Sequence, residues 1–361
     1  MNVLLCPDSF KGALSSPDVA AAMAQGWQRV FPMEDPLVLP LADGGEGTLD
    51  VLLSATGAER FTETVTGPLG EPVLAAWGLL PDGTAVVELA QAAGLCLVPH
   101  DQRDPKITTT SGVGELLLQA TKHTKKLLIT LGGSATNDGG AGILEAFSDT
   151  QQLGYDVQIA CDVDNPLTGP RGASAVFGPQ KGATPQDIVL LDERLGKLRD
   201  KLGLPEQPGD GAAGGAAYGL RWLFPGARLV PGIELVLDAI GFETHLTTTD
   251  LILTGEGRLD SQTLGGKAVA GVARRAKAHG VPVIALVGSL GSDLTGQQLA
   301  DTGITTVFPL APGPCTLDES VHNTAAWLAN TTERVARLYA LTRNTPTANG
   351  QPTSGYYPTH K

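Results

Sequence analysis

The feature that most constrains this chain is a pattern that recurs three times: a short apolar run, then a loop of glycines and charged or hydroxyl side chains, then a helix start. Residues 3–6 lead into Pro7-Asp8-Ser9-Phe10-Lys11-Gly12, and residues 37–41 into Ala42-Asp43-Gly44-Gly45-Glu46-Gly47. Residues 126–131 lead into Gly132-Gly133-Ser134-Ala135-Thr136-Asn137-Asp138-Gly139-Gly140. Apolar runs this short, without polar alternation, suit strands buried on both faces of a parallel sheet. A loop between such a strand and the next helix is where open α/β sheets bind ligands, and the helix start there favours anions.

Between these loops the chain reads as two kinds of architecture. Ser16 before Pro17 predicts an N-cap with proline at the first helical position, and Val19, Met23, Trp27 and Val30 carry an apolar face to about Phe31. Over 61–88 the turns Thr66-Gly67-Pro68-Leu69-Gly70 and Pro81-Asp82-Gly83 separate strand-like runs, which predicts an antiparallel meander. Helices over about 112–123 and 186–202 and a strand ending at Cys161 follow. From Asp250 the strand–helix rhythm returns, with strands over 251–254, 283–287 and 304–310 and helices over 267–278 and 317–341. The expected fold is therefore α/β in two domains. A Rossmann-like parallel-sheet domain is built from both chain ends (1–60 and 250–343), and a second α/β domain with a mixed sheet is inserted at 61–249. The Pro-, Thr- and Gly-rich stretch 344–361 is expected to be a disordered tail.

Composition narrows the partners. A length of 361 residues exceeds the usual single core, which favours two domains. A formal net charge of −13 argues against a nucleic-acid or anionic-membrane partner, either of which needs a basic face. No apolar run reaches the ~18–20 residues of a membrane span. The opening residues are too soon interrupted by Asp8 and Lys11 for a signal peptide, so a cytoplasmic protein is expected. Cys6, Cys96, Cys161 and Cys315 lie far apart and read as buried reduced thiols. The six histidines never come at metal-ligand spacing, and no Gly-x-Gly-x-x-Gly opens a helix, which weakens zinc and nicotinamide chemistry alike.

Each loop carries a chemical reading and a plainer one. Asp8 and Lys11 stand at a strand end, or form a surface ion pair. Asp43 and Glu46 among Gly44, Gly45 and Gly47 suit a Mg²⁺ or hydroxyl contact, or Asp43 merely caps a helix. In the third loop, glycines that let a backbone approach a ligand stand beside Ser134, Thr136 and Asn137, as a phosphate cradle requires. A tight turn capped by Asn137 or Asp138 is the alternative. It is not a Walker A loop, since no Gly-Lys-Ser/Thr follows, and Thr136 stands where a nucleophile elbow needs glycine. Cys161-Asp162-Val163-Asp164 is an acid-rich strand end of the kind that holds Mg²⁺, and Lys181 sits in Gly178-Pro179-Gln180-Lys181-Gly182. The stretch Thr254-Gly255-Glu256-Gly257-Arg258-Leu259-Asp260 reads as a further glycine turn, followed by Lys267 at a helix start or simply solvated. The Gly/Ala run 211–219 reads as close helix packing before ligand binding.

These motifs, taken in order, resemble the type I glycerate kinase family. The resemblance is carried by Pro-Asp-Ser-Phe-Lys-Gly at 7–12, Ala-Asp-Gly-Gly-Glu-Gly-Thr at 42–48 and Leu-Gly-Gly-Ser-Ala-Thr-Asn-Asp-Gly-Gly-Ala-Gly at 131–142. It continues in Ala-Cys-Asp-Val-Asp-Asn-Pro-Leu at 160–167, Phe-Gly-Pro-Gln-Lys-Gly-Ala at 177–183 and Thr-Gly-Glu-Gly-Arg-Leu-Asp at 254–260, and covers residues 1 to about 340. It implies two α/β domains with the active site in the cleft between them, and transfer of the γ-phosphoryl of ATP to D-glycerate with Mg²⁺, giving 2-phosphoglycerate. One departure stands out: after Phe147 the family carries an extra stretch that is missing before the strand leading to Cys161.

Chemistry rather than the resemblance assigns the roles. Phosphoryl transfer asks mainly for positioning and charge neutralisation. Asp8, Lys11, Asp43 and Lys181 are the expected catalytic residues, with Asp8, Asp43 and Asp162 as Mg²⁺ ligands. Ser9, Gly44, Gly45, Glu46, Gly133, Ser134, Thr136, Asn137, Asp138, Gly139, Gly255, Glu256, Gly257 and Lys267 are expected to bind substrate or phosphate. The expected assembly is a monomer or homodimer. A cleft-type binding protein and a dehydrogenase are the competing readings.

Overall fold

The computed structural model describes residues 2–148, 152–264 and 266–343, so the expected tail at 344–361 lies outside the described residues. The described residues form two compact units, those up to Leu41 with those from Glu243 onward, and those from Ala42 to Phe242.

The first unit is built on a five-stranded, all-parallel sheet of order β11-β10-β9-β1-β2. Its strands are β1 (Val3–Leu5), β2 (Leu37–Val38), β9 (Leu251–Leu259), β10 (Val283–Leu290) and β11 (Ile304–Pro309). The helix Ser16–Gln28 buries Val19, Met23 and Trp27 against Leu328, Val335 and Ala336 of the helix Leu317–Arg343. Each large side chain removed from water there is worth roughly 1.5–3 kcal/mol. The N-cap is Ser15 rather than Ser16, with Oγ accepting the Asp18 N–H. Ser16 instead donates its hydroxyl to the Pro7 carbonyl at 2.8 Å, tying the helix to the loop after β1.

β9 also runs further than expected. The segment Gly255-Glu256-Gly257 is not a turn but lies inside the strand, paired with Leu286 and Val287 of β10. Gly255 permits this: a Cβ there would fall on the Leu286 carbonyl oxygen. The same strand receives the loop after β1, through the Asp8 N–H to the Gly255 carbonyl at 2.9 Å.

The second unit carries a six-stranded mixed sheet, ordered β3-β4-β5-β6-β7-β8. It consists of β3 (Glu59–Thr66), β4 (Pro72–Leu79), β5 (Ala85–Glu88), β6 (Lys126–Thr130), β7 (Asp156–Ala160) and β8 (Arg228–Val230). The predicted meander is the antiparallel β3–β4–β5 edge, and β5 to β8 are parallel. Trp77, Val113, Leu116, Ile129, Ile143, Leu220 and Phe224 fill its core.

The boundary between the units falls at 41/42 and 242/243, not at 60/61 and 249/250. The reason is the helix Thr48–Thr56: Leu49 and Leu52 are fully buried, and Leu49 with Leu53 packs over Gly78 of β4. An apolar helix face follows the sheet that buries it, whatever its place in the sequence. The four cysteines are free, but only Cys6 is fully buried; Cys161 is half-buried and Cys96 and Cys315 are exposed.

Candidate active site

In the six-stranded unit the second and third glycine loops meet. The Gly132 N–H donates to the Gly44 carbonyl at 3.2 Å, and a Cβ on Gly132 would coincide with Gly45 Cα. Gly133 faces the side chain of Glu46, which is itself exposed. Only glycine at 132 lets the two backbones lie this close, whereas Gly133 is favoured by its positive φ of 76°.

Charged side chains hold the two loops in shape. Glu88, at the end of β5 and fully buried, accepts the N–H of Gly47 at 3.0 Å and of Leu49 at 2.9 Å. It thereby supplies an acceptor and a negative charge to the start of the Thr48–Thr56 helix, where free N–H groups gather. Burial raises this carboxyl above its usual range, and the two N–H groups oppose the shift. Asp138 does the same for the third loop: it accepts from Thr110 N–H (2.9 Å), Thr110 Oγ1 (2.7 Å), Gly140 N–H (3.1 Å) and Gly142 N–H (3.3 Å). The capping alternative is the one its geometry fits.

Lys181 is 2% exposed and points into the third loop from behind. Its Nζ donates to Ser134 Oγ at 2.8 Å and to the Thr136 carbonyl at 2.6 Å. Burial pulls the ammonium down to about 7, the charge of Asp138 opposing. Asn137 donates to Ser174 Oγ at 2.9 Å, while its Oδ1 and the buried Thr136 Oγ1 have no partner. Beneath lies the Gly/Ala run 211–219: the Gly139 N–H bonds the Gly214 carbonyl at 2.9 Å, and the packing role anticipated for the run is the one observed. Asp210, fully buried, meets Arg221 at 2.6 Å and anchors this support.

Asp162 is exposed and its Oδ1 accepts the Gly232 N–H at 2.8 Å, the start of the helix Gly232–Ala239. Asp43 is half-buried, its carbonyl against Gly232. Both thus stand at one helix start.

The five-stranded unit gathers the other predicted residues. Asp8 is 7% exposed, with Oδ1 accepting the Ser9 N–H at 2.6 Å, and Lys11 is exposed. Gly257 faces the Phe10–Lys11 backbone. Glu256, also 7% exposed, takes a hydrogen bond from Thr263, yet its Oε1 has no partner. Burial, then Asp8 and Asp260, pushes its carboxyl up to about 8 against the pull of Thr263 and Lys267. Lys267 is the N-cap residue of the helix Ala268–Ala278, whose start has no side-chain cap.

Among the described residues no group of three or more His, Cys, Asp or Glu side chains is arranged to hold a metal ion. Sequence reasoning missed Glu88, Thr110 and Ser16. Glu88 carried a signal, an acid ending the apolar run Ala85-Val86-Val87, the same grammar as the three glycine loops. Thr110 carried none, because its partner Asp138 lies 28 residues further on; Ser16 read as a helix cap, and its tie to the Pro7 carbonyl shows only in the fold.

Residues 3–150 and 148–340 match the profile of the glycerate kinase family. A glycerate kinase of Bacillus subtilis (strain 168) is 42% identical over 381 aligned positions, covering 95% of this chain and 99% of that one. A glycerate 2-kinase of Escherichia coli (strain K12) is 40% identical, over 94% of this chain and 98% of its own length. A crystal structure of a putative glycerate kinase 2 from Salmonella typhimurium LT2 superposes with a TM-score of 0.78 at 40% identity, over 96% of this chain and all of that one. The alignments run longer than the 361 residues of the chain, and the family match is split at 148–150, the place of the missing stretch. Similarity of this extent, across both units and every motif loop, means that the chain belongs to the glycerate kinase family.

Proposed function

We propose that this protein is an ATP-dependent glycerate kinase that transfers the γ-phosphoryl group of ATP to the 2-hydroxyl of D-glycerate. The observation that carries the reading is near-full-length similarity at about two-fifths identity to curated glycerate kinases, one of them a glycerate 2-kinase. All six motif loops lie within the residues that match the family profile.

The residues support a division of labour. The joined loops around Gly44, Gly45, Glu46, Gly133, Ser134, Thr136, Asn137 and Gly139 offer backbone N–H groups and small side chains, the means by which phosphate oxygens are held. Lys181 lies behind that loop, so its charge acts through the backbone it braces. Asp43 remains at the same loop, where it can orient a hydroxyl. In the other unit Ser9, Asp8, Lys11, Gly255, Gly257 and Lys267 lie on or near the stretch of β9 that carries Glu256, and the two lysines offset negative charge on a carboxylate or phosphoryl group. Such positioning and charge neutralisation supply most of what phosphoryl transfer needs.

Mg²⁺ accompanies ATP in this reading. The aspartates expected as ligands do not fit a protein-built cage, since Asp162 serves a helix start and no cluster of three donors exists among the described residues. Mg²⁺ needs only one or two carboxylates when phosphates supply the rest. A cytoplasmic location accords with these substrates; among the described residues no helix is long and apolar enough to cross a membrane.

The test is a coupled assay of ADP release from Mg·ATP with D-glycerate, beside L-lactate, tartronate and no added acid. Glycerate-dependent ADP is expected, and its absence would return the chain to the binding-protein reading. Phosphorus NMR of the product, or its direct use by enolase without a mutase, fixes the position phosphorylated.

A further inference from the structure

Among the buried ionisable groups of the described residues, Glu256 stands out because one of its oxygens is left over. It lies on β9 one residue beyond the point where that strand holds the loop after β1, through the Asp8 N–H to the Gly255 carbonyl. Thr263 bonds the carboxyl group, and Oε1 is buried with no donor. A buried acceptor without a donor is costly, so its persistence calls for a partner brought from outside.

The sequence suggested phosphate binding here, but in its ionised form, the one that can take a proton, this carboxylate accepts only and repels phosphate oxygens. The ligand atom that completes Oε1 is a donor, and in the proposed reaction the donor is the acceptor hydroxyl. Three charged groups bear on Glu256: Asp8 from the loop after β1, Asp260 beyond the end of β9, and Lys267 at the start of the Ala268–Ala278 helix. The two acids favour its protonated form and Lys267 its ionised form. Asp8, the other candidate acid in this unit, already spends Oδ1 on the Ser9 N–H.

We propose that Glu256 accepts the proton of the substrate hydroxyl during phosphoryl transfer, an assignment that rests on the glycerate kinase reading. The hydroxyl oxygen forms a bond to the γ-phosphorus as the bond from that phosphorus to the bridging oxygen breaks. ADP leaves with the bonding electron pair, and the hydroxyl proton passes to Oε1, later to solvent. Burial and Asp8 make this carboxylate more basic than an ordinary one, which improves a proton acceptor working near neutral pH.

The test compares wild type with Glu256→Gln, which keeps the shape and the Thr263 contact but cannot take the proton. The expected result is a fall in kcat of about a hundredfold or more, with the melting temperature at pH 6 and the calorimetric Kd for D-glycerate unchanged. The wild-type rise of kcat toward pH 8 should vanish in the variant. Should Glu256→Gln fail to fold, Glu256→Asp takes its place, with a reduced kcat that still rises with pH. Wild-type kcat in the folded variant, or a loss explained wholly by weaker glycerate binding, would overturn the assignment. Absence of glycerate-dependent ADP from the wild type is a different outcome, which removes the functional reading and this inference together.

Discussion

The two units treat buried charge in opposite ways. In the six-stranded unit Glu88, Asp138 and Lys181 are consumed by backbone and hydroxyl partners, and what they shape is the loop itself. In the five-stranded unit Glu256 is also buried, but keeps an oxygen without a partner. The contrast teaches that burial alone does not mark a reactive group. A charge bonded on all sides organises structure, and one left with an unused acceptor is available for chemistry.

The comparison can be broken most sharply by activity. Asp8→Asn, beside Glu256 and at the strand end, should lower kcat by about a hundredfold, the scale of a lost positioned acid–base or charge contact. Turnover close to wild type would mean that the five-stranded unit's acids are structural after all. Next in size is stability in the other unit. Arg221→Met leaves Asp210 buried without its partner and should cost roughly 3–5 kcal/mol in urea unfolding. Glu88→Ala strips the acceptor from two helix-start N–H groups and should cost about 1–3 kcal/mol for each. Glu88→Gln, retaining one acceptor, should lie between that variant and wild type. Equal stability of Gln and wild type would show that the second bond contributes nothing. Gly132→Ala drives a methyl group onto Gly45 and should cost about 1–3 kcal/mol. Its loss of activity should exceed what the lost stability explains, because it separates the two loops.

The smallest signal is a pair of opposite slopes with pH, each at most about 1.4 kcal/mol per pH unit. Glu256 is raised from 4.5 to about 8, so between those values the folded state holds a proton that the unfolded state has lost. Its contribution to stability falls as pH rises through that window. Lys181 is lowered from 10.5 to about 7, so there the unfolded state holds the extra proton and stability rises with pH. Melting curves from pH 5 to 10 on Glu256→Gln and Lys181→Met should each lose one slope and keep the other. Loss of both slopes in a single variant would mean that the two groups are not independent.

Much of the site was legible because its signals are local. Asp8, Lys11, Asp43, Gly44, Gly45, Ser134 and Lys181 each sit in a short motif whose loop position follows from the apolar run before it. Other features depend on partners. Asp138 reads from the sequence as a ligand contact or a cap, and Thr110 with two helix-start N–H groups surrounds it in the fold. The Gly255–Gly257 stretch looked like a turn because glycines punctuate loops, yet pairing with β10 keeps it in the strand. The Thr48–Thr56 helix was placed with the first sixty residues by chain order, although the mixed sheet is what buries it.

By itself the sequence determined the α/β class, the parallel runs at both chain ends, the meander and the order of the loops. These follow from apolar periodicity and turn residues, which act over a few positions along the chain. Only the tertiary structure decided which sheet buries each helix, which glycines let two loops touch, and which charges are spent. Those depend on atoms brought together from distant parts of the chain. For Glu256 the sequence supplied an acid among glycines; the missing donor at Oε1 became visible only once everything around it was in place.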